Sequence, residues 1–173
     1  PDNPKNRRRR CSMLVERMTE NGTTRVLIDT SPDLRAQLLD AGVGELDAVL
    51  YTHSHADHVH GIDDLRPLRY GRAGPIPGFA ATETARRLRQ RFGYVFSGQH
   101  GYHTIVELNT LDALRIHAGF SVESVEMPHG PTFSTAYRFE ADGKSIVYAT
   151  DFSEVTDDML DLMDGVDILV TDC

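Results

Sequence analysis

The chain has 173 residues, 40% hydrophobic and 25% charged, with a formal net charge of −8. That balance is ordinary for a water-soluble domain with a real core, and no apolar run approaches the ~20 residues of a membrane-spanning helix. The acidic excess weighs against non-specific binding of long nucleic acid, so nucleic acid is not the expected partner. Two widely separated cysteines, Cys11 and Cys173, make no disulfide framework and read as reduced thiols of a cytoplasmic protein.

In chain order, residues 11–16 and 24–28 read as strands, and Asn21-Gly22 between them favours a tight hairpin turn. Ser31 and Pro32 suit the start of a helix with Leu34, Leu38 and Leu39 on its apolar face, and Gly42 suits its end. Residues 48–51 form a short buried strand. Residues 71–78 have the composition of a loop. Thr82 suits the cap of a second helix reaching Phe92, which would turn Ala85, Leu88 and Phe92 inward. Strands follow near 113–118, 121–127, 134–140 and 145–149, with Asp142-Gly143 as a second hairpin turn. A helix over 156–163 and a strand over 167–171 close the chain. Many strands with few helices between them imply two packed sheets with helices outside.

Charge is uneven along this order. Arg66, Arg69, Arg72, Arg86, Arg87, Arg89 and Arg91 stand against one acid, Glu83, whereas acids dominate after Glu140. The arginines either coat a solvated helix face or attract a small anionic substrate. Arg7 to Arg10 either contact phosphate or pair with the acidic surface. Tyr94, Phe96 and Tyr102 either pack in the core or cover a site.

The segment His53-Ser54-His55-Ala56-Asp57-His58 concentrates the chemistry. In a strand-like stretch His53 and His55 point the same way, and Asp57 and His58 follow where the chain can turn back. Imidazole with carboxylate suits zinc, manganese or iron. Four donors in six residues exceed what one tetrahedral ion takes from so short a segment, so two adjacent ions are expected. His129 and Asp151 each fall at the end of a strand and can reach the same rim. Asp29 also ends a strand; it either orients a ligand histidine or begins a helix. His60 is placed near the cleft, with a structural role as the plainer reading.

The series His53-x-His55-x-Asp57-His58, His129, Asp151 resembles the metal-ligand series of the metallo-β-lactamase fold superfamily. The flanking runs 4–12, 28–35 and 58–68 are similar to its PhnP-like phosphodiesterase branch. The resemblance implies an α+β, four-layer αββα sandwich. It places His53, His55 and His129 on a first ion and Asp57 and His58 on a second, with Asp151 bridging them. It also implies two divalent ions, Zn or Mn, presenting a bridging hydroxide, with Asp57 orienting it or taking its proton.

On this reading residues 1–173 form a single hydrolase domain. It lacks the Gly-rich first strand of the family and a C-terminal region that carries a further ligand histidine. His100, His103 and His117 stand out of that histidine's context. The expected activity is hydrolysis of a cyclic phosphate or small nucleotide-like phosphodiester, with a nucleotide or ribose phosphate as partner, no membrane, and a homodimer by family resemblance. The alternatives are a non-catalytic nucleotide- or phosphate-binding module with a degraded second metal site, a thioesterase or lactamase, or a tRNA-processing nuclease.

Overall fold

The computed structural model describes residues 3–6, 8–114 and 119–172. β1 (Met13–Thr19) and β2 (Gly22–Ile28) form an antiparallel hairpin in which Thr19 pairs with Gly22. The turn is therefore Glu20-Asn21, one residue earlier than the Asn-Gly pair suggests, and Gly22 takes a φ of 132° that few other residues would adopt. After α1 (Leu34–Ala41), β3 (Ala48–Tyr51) adds parallel to β2. A single-turn helix, α2 (Ala56–Val59), and α3 (Arg66–Arg69) lead to β4 (Ile76–Ala80), parallel to β3. The long helix α4 (Thr82–Ser97) then returns the chain to β5 (Val106–Thr110), parallel to β4.

The second sheet has four strands in sequence order. They are β6 (Ser121–His129), β7 (Thr132–Ala141), β8 (Lys144–Ala149) and, after α5 (Asp157–Met163), β9 (Ile168–Thr171). The β7–β8 turn is Asp142-Gly143, and both residues have positive φ, as a twist-matched two-residue turn requires. Thr156 caps α5 by accepting a hydrogen bond from the Met159 amide.

Side-chain alternation builds three apolar layers from these two sheets. Val26, Ile28, Ala48, Leu50 and Phe79 of the first sheet meet Tyr137, Phe139 and Tyr148 of the second. Leu27, Val49 and Tyr51 face the other way, against Leu34 and Leu38 of α1 and Ala85, Leu88 and Val95 of α4. Met127, Ala136, Val147 and Ala149 pack on Met159 and Leu162 of α5. The order is helix, sheet, sheet, helix, the αββα sandwich expected. β3 is buried at every position, as a parallel strand covered on both faces must be.

Six local expectations need correction. Residues 76–80 are a strand despite the Gly and Pro around them. Gly78 lies so close to β5 that a Cβ there would come within 2.4 Å of Val106 Cγ1. Gly78→Ala is expected to destabilise the fold by about 1–3 kcal/mol through this overpacking, read as a shifted urea midpoint at unchanged slope. Leu39 is 64% exposed and does not join the apolar face of α1, and Ser31 does not cap that helix, whose N-cap is Asp33. Helix α4 runs past Phe92 to Ser97, with non-helical angles at Phe92 marking a kink, and its N-cap is Ala81 rather than Thr82. The strand expected near 113–118 is replaced by β5 followed by a short 3-10 turn, Leu111–Ala113; residues 115–118 lie outside the described residues.

Topology decides where a site can form. β2, β3 and β4 are parallel, so their C-terminal ends share one rim, the usual place for ligands in parallel sheets. In the second sheet β6, β8 and β9 run the same way, and their ends share a rim too. Two bonds clamp the sheets together there: the Thr135 amide donates to Thr52 O at 3.0 Å, and Tyr137 Oη donates to Tyr51 O at 2.7 Å.

Candidate metal centre

All the residues singled out by the motif meet at this joined rim. β3 ends at Tyr51, and Thr52 to His55 leave it as irregular backbone rather than as strand. The backbone then coils into α2, which carries Asp57 and His58. His129 ends β6, and Asp151 lies just beyond β8. The turn after α2 is pressed onto the loop after β2: Thr30 N donates to His58 O, and Gly61 N donates to Thr30 O. A Cβ on Gly61 would fall 1.9 Å from Ser31 O, so only glycine permits this approach.

Two donor sets result. In the first, His53 Nε2 lies 3.0 Å from His55 Nδ1, and His129 Nε2 lies 3.2 Å from the same atom. Donors on one tetrahedral zinc at its usual bond lengths stand about 3.3 Å apart, so this trio fits a divalent ion. In the second set Cys11, His58 and Asp151 each offer one atom, all within 4.8 Å of one another. His58 Nε2 is 3.1 Å from Asp151 Oδ2 and 3.7 Å from Asp57 Oδ2. The sets adjoin, since the His53 and His58 ring centres are 4.2 Å apart. Asp57 stands beside the second set, its side chain 54% exposed toward solvent.

Buried polar groups orient the rings. Asp29 is fully buried, accepts from Thr52 N at 2.8 Å and Thr52 Oγ1 at 2.7 Å, and lies 2.7 Å from His58 Nδ1. Because the Thr52 hydroxyl spends its proton on Asp29, its oxygen accepts from His53 Nδ1, 3.0 Å away. Each ring thereby turns its Nε2 toward its own donor set, His53 Nε2 to His55 and His58 Nε2 to Cys11 and Asp151. Asp29 and Asp151 both have φ of 60°, a left-handed conformation uncommon outside glycine. Such strain tends to concentrate where a fold is held for function.

Charge follows the same division. Burial, with repulsion from His58 and His55, lowers the His53 pKa to about 3, so this ring is a neutral donor. Burial likewise lowers that of His55. Burial works against charge on His58, yet its hydrogen bonds to Asp151, Asp29 and Cys11 prevail and push it up to about 12. The hydrogen bond from His58 holds Asp151 down at about 2, while burial raises Asp29. The second set is thus a place that calls for positive charge.

Two residues of the centre were not singled out from the sequence. Thr52 could have been flagged as the neighbour of His53 at a strand end. Cys11 gave no signal, being 47 residues from His58 in the chain. Asp29 contacts the ring of His58 and does not begin a helix, since α1 starts at Leu34. His60 is exposed and sets its ring edge-on to Phe92 at 5.9 Å.

The arginines settle mostly into structural contacts. Arg86 and Arg87 pair with Glu83, while Arg69, Arg72, Arg89 and Arg91 donate to the carbonyls of Thr104, Leu46, Leu108 and Ser54. Arg9 and Arg10 pair with Asp40 and Asp33. Phe96 packs on the core, Tyr94 Oη donates to Asp63, and Tyr102 is 58% exposed beneath Arg66. Arg7, His117 and Cys173 lie outside the described residues. Among the described residues no helix is long and apolar enough to cross a membrane.

A two-sheet sandwich with histidines and carboxylates converging on one rim defines a class. The chain belongs to the metallo-β-lactamase superfamily, in its PhnP-like branch: residues 24–173 match the beta-lactamase superfamily domain. The crystal structure of a diphosphatase from the PhnP family superposes with a TM-score of 0.80 at 36% identity, covering 98% of this chain and 62% of that one. The exodeoxyribonuclease WalJ of Streptococcus pneumoniae serotype 2 is 30% identical over 123 residues, 71% of this chain and 42% of that protein. An octanoyltransferase of Porphyromonas gingivalis is 46% identical over 90 residues, 52% of this chain and 17% of that protein. The chain therefore spans less than two thirds of each of these relatives.

Proposed function

We propose that this chain carries the metal-binding core of a hydrolase acting on a small phosphodiester or phosphoanhydride of nucleotide type. The observation that supports it most is the pair of adjacent donor sets. His53, His55 and His129 would hold one divalent ion, zinc or manganese; Asp57, His58 and Asp151 would hold a second, with Asp151 reaching toward the first. When bound, such ions supply an activated water and polarise a phosphoryl oxygen. The residues of the chain do the rest. Asp29 and Thr52 fix the tautomers of His58 and His53. Asp57, exposed at the mouth, is placed to accept a proton from the attacking water. Likeness to the PhnP-family diphosphatase supports a small phosphorylated substrate for this chain.

The exodeoxyribonuclease relative supports a second reading, in which the same centre cleaves nucleic acid. The test uses protein from the full-length gene. Metal content is measured beside turnover of bis(p-nitrophenyl) phosphate, a dinucleoside diphosphate, single-stranded DNA, a thioester and a β-lactam. About two ions per chain, with turnover of the small phosphate esters abolished by chelation and restored by zinc or manganese, is the expected result. Cleavage of DNA alone would favour the nuclease reading. Turnover of only the thioester or β-lactam, or no bound metal, would defeat the proposal.

A further inference from the structure

The second donor set contains a sulfur, that of Cys11, to which neither the motif nor the family resemblance gives a role. Cys11 sits two residues before β1, whose Met13 pairs with Ile28. Continuing that register brings Cys11 alongside Thr30, at the loop that holds Asp29. Ser12 locks the segment there, its hydroxyl lying within hydrogen-bond distance of Ile28 O (3.0 Å) and Asp29 O (2.9 Å). Cys11 Sγ lies 3.3 Å from His58 Nε2, the ring nitrogen that also approaches Asp151 and Asp57. Sulfur and nitrogen bound to one tetrahedral zinc stand about 3.5 Å apart, given bond lengths near 2.3 and 2.05 Å. The thiol is half-buried, and the Nδ1 side of His58 is already taken by Asp29.

We propose that Cys11 is an additional donor to the second ion, joining His58, Asp151 and Asp57 and biasing that position toward zinc over manganese. The inference rests on the two-metal reading above. On coordination the Cys11 thiol releases its proton to solvent and binds as thiolate, with no change in oxidation state. Thiolate is a soft donor that favours zinc, whereas an all-oxygen and imidazole set accommodates manganese readily. A second position built this way would load selectively.

The test is a stepwise titration of the metal-free full-length protein with cobalt(II), followed by absorption spectroscopy. Cys173 is a second thiol, so Cys11→Ser and Cys173→Ser are titrated in parallel. The expected result is a sulfur-to-cobalt charge-transfer band in the near ultraviolet that grows with the second equivalent. It survives in Cys173→Ser and is lost in Cys11→Ser, while the ligand-field bands of the first equivalent persist in both. Competition between zinc and manganese is expected to lose roughly 10–100-fold of its zinc preference in Cys11→Ser, the scale seen even for groups that only support a ligand. Two equivalents bound by the wild-type protein with no such band would overturn the role of Cys11 and leave the two-metal reading intact. A band lost only in Cys173→Ser would do the same. Failure to bind any cobalt would sink both. Should Cys11→Ser not fold, Cys11→Ala is titrated in its place, and a band that persists there overturns the role of Cys11.

Discussion

Replacing Asp57 by asparagine is expected to lower turnover of a phosphodiester by about 10²–10⁴-fold at saturating metal, the contribution of a positioned general base. The substitution keeps the size and one acceptor oxygen of the side chain but removes its capacity to take a proton. It should leave the fold in place, because the side chain is 54% exposed. The trio of His53, His55 and His129 does not include Asp57, so an ion there should be retained and is counted directly by metal analysis. The loss should appear in kcat as well as in kcat/KM, because the group acts after the substrate is bound. Undiminished turnover with two ions bound would remove Asp57 from the chemistry and leave it as a dispensable neighbour of His58.

How much of this was legible beforehand follows from how each residue earns its place. The motif donors sit within six residues, and His129 and Asp151 each end a strand, so strand-end reasoning could bring them to one rim. The layer order was readable from apolar side chains on both faces of the strands: β2 and β3 divide theirs between the layer under α1 and α4 and the layer between the sheets, and β7 and β8 between that middle layer and the one under α5. Strand β4 was hidden because Gly78, a residue poor in strands, is required there by its closeness to Val106. The arginine cluster was misleading for a different reason. Four of its guanidinium groups satisfy carbonyls that tertiary folding delivers from other segments, and no local pattern announces a distant carbonyl. Cys11 was opaque in the same way, since its partner His58 is brought to it by the β1–β2 register and the α2 turn.

The deepest dependence of the centre is on Asp29. Its carboxylate accepts from both polar groups of Thr52 and meets His58 Nδ1, so one buried side chain orients a histidine ring in each donor set, His58 directly and His53 through Thr52. Asp29→Ala would strand the Thr52 amide and hydroxyl and the His58 ring in a site with no exposure. It would also leave at a φ of 60° a residue without the short polar side chain that lets Asp and Asn hydrogen-bond locally and adopt this conformation. A loss of about 3–5 kcal/mol is expected from removing one partner of a buried pair, measured by urea unfolding of the metal-free protein. Asp29→Asn separates the two causes. Asparagine tolerates the left-handed backbone and fills the same volume, but its amide must turn a donor toward one of the three groups it faces. That variant should lose less stability while still weakening metal binding by roughly 10–100-fold, as outer partners of ligand histidines do. Competition with a chromophoric chelator reads the affinity. Wild-type affinity in a folded Asp29→Asn protein would show that His53 and His58 hold their tautomers without the carboxylate, and that the buried charge serves the fold alone.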